Sequence, residues 1–284
     1  MLNKCCICLE SNYRIFLKFP TKSISQVHYA SSNQKISGDI LICLKCELVY
    51  AATKFTNQQI MDSYLNYDDK HHSITNPDRI RSFTSVLKRN SKILKFNKVK
   101  SILDIGCASG AFLIAAKKNG FEAHGVEPSI SLREIAKQKY GLNISPDLDS
   151  LKTGSKLFDL ISLWDVLEHV SDPSQLIDDL LQYLRPNGLL LLNLPMIDTL
   201  PARLLNRFWP FYLEVHLFYF TNLSINRLLK LKGFELILKK TYWQTLSLRY
   251  VILRQFGFDI KYLEWIKIRY YLGQRTLIFK RVVI

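Results

Sequence analysis

Two groups of side chains in this chain have the types and spacing that do chemistry. The first is Cys5-Cys6-Ile7-Cys8 with Cys43-Leu44-Lys45-Cys46, a pair of CxxC knuckles. A tight turn lets the two thiolates of one knuckle grip a tetrahedral Zn²⁺, and a second knuckle completes an S₄ set. Cys5, Cys8, Cys43 and Cys46 are the expected ligands, and Cys6 is the spare that points away. The stretch between the knuckles is longer than the common template, so a hairpin must return the chain. A closed four-cysteine site is structural, with no open position for catalysis. The first ~50 residues are too few to bury much core, and a metal would replace it. The plain alternative is a set of ordinary thiols.

The second group begins in "LDIGCASGAF", residues 103–112, where an apolar strand runs through a glycine turn into a helix. A dinucleotide fingerprint needs G-x-G-x-x-G; here the positions are Gly106, Ala108 and Ala111, so the middle glycine is missing. Asp104 stands two residues before Gly106, at the strand end. Its carboxylate would repel a pyrophosphate by about 4 kcal/mol at 4 Å and an effective dielectric of 20. It would attract a cofactor that carries an ammonium group. Glu127 ends the second strand about 20 residues on, where an acid accepts from ribose hydroxyls. An acidic loop with a ribose acid fits S-adenosylmethionine better than NAD.

These residues need strands and helices to place them. "SILDI" reads as a buried strand, Gly110 to Asn119 as a helix closed by Gly120, and "EAHGVE" as a second strand. Ser131 and Glu134 have capping-box spacing, and that helix stops at Gly141. "FDLISLW" is a further strand. Asp172-Pro173 is a cap with proline at the first helical position, opening a helix that ends before "RPNG". "LLLLNLP" follows as a strand buried on both faces. The alternation predicts an α/β, Rossmann-like, doubly wound, mostly parallel sheet with its ligand at the C-terminal strand ends, carrying a small N-terminal zinc ribbon. The expected organisation is a ribbon over 1–55, helical linkers over 56–97 and a cofactor domain over 98–284. In the linker, "RIRSFTSVLKRNSKIL" sets Ile80, Phe83, Leu87, Asn90 and Leu94 on one helical stripe; His71-His72 reads as a surface loop.

"LDIGCASG", "GVEPS", "FDLISLWDVLEHV" and "LRPNGLLLLNLP", spread over about a hundred residues, together resemble a class I S-adenosylmethionine-dependent methyltransferase. The cysteine knuckles with "CLKCELVY" resemble the zinc-binding N-terminal segment of a bacterial subset of that family, several members of which modify sugars or surface glycans. The resemblance implies that Asp104 and the loop Gly106, Cys107, Ala108 and Gly110 hold the methionine end. It implies that Glu127, with Pro128 beside it, holds the ribose. It places Asp147, after the short strand "LNIS", at the adenine amine, and Trp164 and Asp165 near the sulfonium, where an aromatic face favours a cation. Ala108 departs from the commoner glycine and adds a methyl near the cofactor. Glu168-His169 follows the family pattern, with His169 read as helix-start structure.

The net charge is +15, with 16 basic and 7 acidic residues over 1–100, 8 and 13 over 101–200, and 15 and 4 over 201–284. Basic flanks around an acidic centre suggest anionic partners, whether nucleotide-sugar, nucleic acid or membrane surface, or equally plain solubility; the expected partner is an anionic small-molecule or glycan acceptor. Residues 197–222, rich in aromatics with Arg203 and Arg207, are an insertion that can lid an acceptor pocket. Residues 244–272 read as a helical, aromatic and basic stretch, either ordinary packing or a face that meets a membrane surface. His216, in "EVHLFYFT", is the candidate general base, with a satisfied structural histidine as its equal alternative; Glu214 shares its face only if the stretch is extended.

The leading expectation is methyl transfer to a hydroxyl of a sugar, nucleotide-sugar or glycan. A nucleic-acid methyltransferase is the first alternative. "SLWD" lacks the Asn/Asp-Pro-Pro-aromatic signature used to grip a flipped base, and there is no Pro-Cys pair for attack on cytosine. A non-catalytic binding module is the second. "MLNKCCICLE" has no signal-peptide pattern and no apolar run reaches the ~18 residues of a spanning helix, so the expectation is a cytoplasmic protein with reduced cysteines, peripheral at most to a membrane.

Overall fold

A computed structural model of the chain describes residues 5–20, 36–52, 57–65, 72–151, 157–256 and 258–282. Near the N-terminus, β1 (Tyr13–Lys18) pairs antiparallel with β2 (Asp39–Cys43), and β2 with β3 (Val49–Ala51). The register sets Tyr13 opposite Cys43, so the first knuckle arrives beside the second. This is the hairpin return that the cysteine spacing requires.

Three helices follow: α1 (Asn57–Leu65), α2 (His72–Arg89) and α3 (Ser91–Phe96). Phe83, Leu87 and Leu94 are buried as the stripe predicts, but the helix breaks at Asn90. Asn90 is itself buried and its Oδ1 accepts from Lys240 Nζ at 3.0 Å. A polar side chain on the apolar stripe thus finds its partner where the two helices join. Of the expected His71-His72 loop, His71 lies outside the described residues and His72 opens α2.

The main sheet is built from β4 (Ser101–Ile105), α4 (Ala111–Lys118), β5 (Glu122–Val126), α5 (Ile130–Tyr140), β6 (Phe158–Trp164), α6 (Pro173–Leu181) and β7 (Leu184–Pro195). Next come α7 (Leu200–Leu205), β8 (Phe218–Tyr219), α8 (Asn222–Leu231), β9 (Phe234–Thr241), β10 (Gln244–Ser247), α9 (Leu248–Phe256), β11 (Lys267–Tyr270) and β12 (Gln274–Arg281). The strand order is β5-β4-β6-β7-β12-β9. The first four strands are parallel and β12 runs antiparallel to both of its neighbours. All residues of β4 and β6 are buried, as a sheet covered on both faces requires. Ile102, Leu160 and Ile278 pack with Phe83, Phe112 and Ala115 on one face; Leu103, Ile161 and Leu277 pack with Ile177, Ile225 and Leu228 on the other. Because β5 and β6 flank β4 on opposite sides, the chain leaves β4 and β6 in opposite directions and opens a crevice at their C-terminal ends.

Local details depart from expectation in three places. The cap of α5 is Ser129, whose Oγ accepts from Leu132 N at 3.3 Å, because extended backbone at Ser129 starts the helix two residues before Ser131. "LNIS" contributes a single bridge, Ser145 with Val126, rather than a strand. Residues 244–272 are not one helical stretch: β10 and β11 pair antiparallel, with α9 and one 3₁₀ turn between them.

The ribbon does not stand apart. Its β3 pairs with β8, Val49 opposite Tyr219 and Tyr50 opposite Phe218. Cys5, Cys43, Cys46, Leu48 and Tyr50 belong to the same apolar cluster as Leu213, Val215 and Leu217.

Candidate functional site

The crevice is lined from the loop that joins β4 to α4. Gly106 and Gly110 have φ of +64° and +83°, the left-handed region that favours glycine, and a Cβ on Gly110 would lie 2.3 Å from Leu142 Cδ1, which would have to shift. Ala108, where the resemblance favours glycine, also sits left-handed at φ +49°. Cys107 packs beneath the end of β5, where a Cβ on Gly125 would meet its Sγ at 2.6 Å.

Two buried carboxylates frame this loop. Glu127 Oε2 accepts from Ala108 N at 2.8 Å and Oε1 from Ser129 N at 2.9 Å, tying the loop to the end of β5. Arg133 fixes the same turn by donating to the carbonyls of Glu127 and Pro128. Each Glu127 oxygen keeps a lone pair for a further donor. Burial raises its pKa against the pull of the two backbone N–H groups and Arg133. Asp104 Oδ1 accepts from Ser162 Oγ at 2.6 Å. Burial pushes its carboxyl up to about 8, opposed by the Ser162 hydroxyl and by the Arg79 guanidinium, and reinforced by Glu127.

Arg79 and Asn76 come from α2. Asn76 Nδ2 donates to Ser109 Oγ at 2.7 Å and to the Tyr140 hydroxyl at 3.2 Å, stapling the helix to the glycine loop. The Arg79 charge acts on both Asp104 and Asp165. Trp164 packs among Phe83, Phe112 and Tyr242, with ring centroids 4.6, 5.1 and 5.8 Å away. Its Nε1 is buried without a hydrogen-bond partner among the described residues. Asp165, at φ +55°, accepts from Asn193 Nδ2 and Gln274 Nε2, both at 2.9 Å. Asp147 lies at the surface, and its Oδ1 accepts from Ser150 N in its own turn.

Just beyond Asp165 the chain brings Glu168 and His169 against His216. His169 stands in a turn before α6 rather than at a helix start, and its Nδ1 is 2.9 Å from the Val215 carbonyl. Its ring centroid is 4.6 Å from that of His216. Burial lowers the His169 imidazole to about 4 and drives that of His216 well below its ordinary value, helped there by His169. Glu214 is not the partner of His216: its Oε2 accepts from Ser37 N at 2.7 Å, toward the ribbon.

At the knuckles, Sγ of Cys5 and Cys46 are 3.3 Å apart and those of Cys8 and Cys43 3.5 Å, and all four lie within 4.8 Å of one another. A disulfide needs about 2.05 Å. Tetrahedral Zn–S bonds of about 2.3 Å set sulfurs about 3.8 Å apart, so the four thiols fit one zinc ion. Cys6 stays outside this group.

Asp104, the glycine loop and Glu127 were legible because strand, turn and spacing mark them. Arg79 and Asn76 were missed because they read as ordinary polar positions of an amphipathic helix. Glu168 was read only as part of the family pattern, because its neighbour His216 is remote in sequence.

A family model described as "Methyltransferase domain" matches residues 76–239, more than half of the chain. The ubiquinone biosynthesis O-methyltransferase of Coxiella burnetii (strain RSA 493 / Nine Mile phase I) is 35% identical over 97 residues, 32% of this chain and 42% of that protein. The mitochondrial ubiquinone biosynthesis O-methyltransferase of Schizosaccharomyces pombe is 34% identical over 114 residues, 37% of this chain and 41% of that protein. The chain thus spans less than half the length of these relatives. Among solved structures, the plantazolicin methyltransferase BpumL in complex with SAH shares the fold, with a TM-score of 0.53 at 14% identity over 80% of this chain and 95% of that one.

Proposed function

The chain belongs to the methyltransferase-domain family, and from that premise we propose that it transfers the methyl group of S-adenosylmethionine to a hydroxyl of a small molecule. The observation that carries this reading is the buried pair Asp104 and Glu127 framing the Gly106–Gly110 loop, with the Arg79 charge acting on Asp104. Asp104 receives the α-ammonium, Arg79 the α-carboxylate and Glu127 the ribose hydroxyls. Trp164 offers an aromatic face to the sulfonium and an indole N–H to a ligand acceptor. S-adenosylmethionine supplies a methyl carbon on positive sulfur. The residues of the crevice hold the acceptor oxygen in line with it and exclude water.

In this reading the acceptor is a sugar, nucleotide-sugar or surface glycan, supported by the likeness of the paired-cysteine ribbon to glycan-modifying relatives and by the basic flanks. A phenolic acceptor is the second reading, favoured by the names of the ubiquinone-pathway relatives. Cys5, Cys8, Cys43 and Cys46 hold one structural zinc ion, and the exposed apolar residues of α7 touch a membrane surface peripherally.

The test is transfer of labelled methyl from S-adenosylmethionine across nucleotide-sugars, glycolipids, polyprenylated phenols and RNA. Label is expected on a sugar hydroxyl. Arg79→Ala and Glu127→Gln should each weaken cofactor binding about ten- to a hundredfold, the loss of one charge-assisted contact of about 1.5–3 kcal/mol. No cofactor binding by the wild-type chain in calorimetry would sink the reading. Label on RNA alone would move it to nucleic acid.

A further inference from the structure

We propose that Glu168, His169 and His216 form a second metal site, for one divalent first-row transition-metal ion, beside the methyl-transfer crevice. One ligand atom from each of the three side chains lies within 4.8 Å of the others. Glu168 and His169 come from the turn after β6, and His216 from the segment entering β8. The two segments are pinned together here, because Leu217 N and Phe218 N both donate to the Glu168 carbonyl, at 2.8 and 3.2 Å.

The polar atoms argue for a cation. Glu168 is 1% exposed, and neither of its carboxylate oxygens has a hydrogen-bond partner among the described residues. His216 Nδ1 is buried and unpartnered in the same way. His169 Nδ1 lies on the Val215 carbonyl, which turns Nε2 toward the group. The His169 imidazole is thus oriented by a backbone carbonyl on its far nitrogen, the arrangement that orients ligating histidines.

Two imidazoles and one carboxylate suit Zn²⁺, Fe²⁺ or another borderline ion, and three protein ligands leave a position open. That separates this site from the closed set of four thiolates at the knuckles. Resting on the methyl-transfer reading, the open position would take the acceptor oxygen, and His216 would act as a ligand rather than as the base.

Zinc stoichiometry on the full chain tests the site without reference to activity. Protein loaded with excess Zn²⁺ and desalted should carry two equivalents in the wild type. It should carry one in Glu168→Gln and one in His216→Gln, each checked for cooperative thermal unfolding. X-ray absorption on the wild type should show Zn–N/O distances near 2.0 Å beside Zn–S near 2.3 Å, a result that does not depend on any variant folding. One equivalent with sulfur ligands alone, or two equivalents persisting in both variants, overturns the site. Neither outcome depends on whether the chain binds S-adenosylmethionine, so the two readings fail separately.

Discussion

Asp104 shows how burial converts an ordinary carboxyl into a group that responds near neutral pH. With its carboxyl raised to about 8 in the ligand-free protein, it is largely protonated below that pH. A ligand ammonium favours the ionised form, so binding releases a proton and affinity should fall as pH drops below about 8, by up to about tenfold per unit. Calorimetry with S-adenosylmethionine between about pH 6.5 and 8.5 should show this slope, and Asp104→Asn should bind more weakly with a flattened profile. A wild-type profile as flat as that of the variant would remove Asp104 from the ammonium contact. The stability sign is opposite: the folded pKa lies above the unfolded value of about 3.9, so the contribution of Asp104 to stability is complete below that value. It is lost as pH rises through about 8. The ligand-free wild type should therefore lose stability relative to Asp104→Asn over that range. The residue could be found from its place before the glycine turn. Its raised pKa could not, because the burial that raises it, and the approach of Glu127 that adds to it, come only with the fold.

Elements were legible where their signals are local. β4, β6 and the glycine turn announced themselves because strands buried on both faces are continuously apolar, and Asp172-Pro173 marked the start of α6. Residues 244–272 misled because "QTLS" and "KIRY" are short and become strands only by pairing with each other. The ribbon raises a sharper point. Its β3 edge pairs with β8 and its cysteines share a cluster with Leu213, Val215 and Leu217, so the cysteine knuckles brace the segment that presents His216. A structural zinc site contributes about 10–16 kcal/mol of apparent binding energy, as much as a whole domain's stability. The Cys43→Ser, Cys46→Ser double variant should lose one zinc equivalent and should exchange amide hydrogens faster over 39–51 and 213–220. Protection over 101–105 and 158–164, inside the parallel sheet, should change little. Unaltered exchange at 213–220 in a zinc-depleted variant would show that the two segments are not coupled.

At the scale of the molecule, a strongly basic chain carries large apolar side chains at its surface. Leu204 and Phe208, on and just after α7, are 75% and 77% exposed, with exposed Arg203 and Arg207 beside them. Trp265, in the 3₁₀ turn after α9, is 76% exposed. Apolar side chains with basic neighbours are what an anionic lipid surface attracts, at about 1 kcal/mol for each Lys or Arg near the surface. Among the described residues no helix is long and apolar enough to cross a membrane. We therefore expect the protein to co-sediment with vesicles containing phosphatidylserine but not with purely zwitterionic ones, and to be released by salt, which screens exposed charges within about 10 Å at 0.1 M. Fully burying one Leu or Phe side chain is worth about 1.5–3 kcal/mol, so even half-depth insertion of Leu204 and Phe208 contributes about a tenfold gain in partitioning. Leu204→Ser with Phe208→Ser should remove that gain while the charge-driven part, and its salt dependence, remains. Equal partitioning of the double variant and the wild type would assign the attraction to charge alone, and no partitioning of either would leave these side chains for the acceptor or for another protein surface.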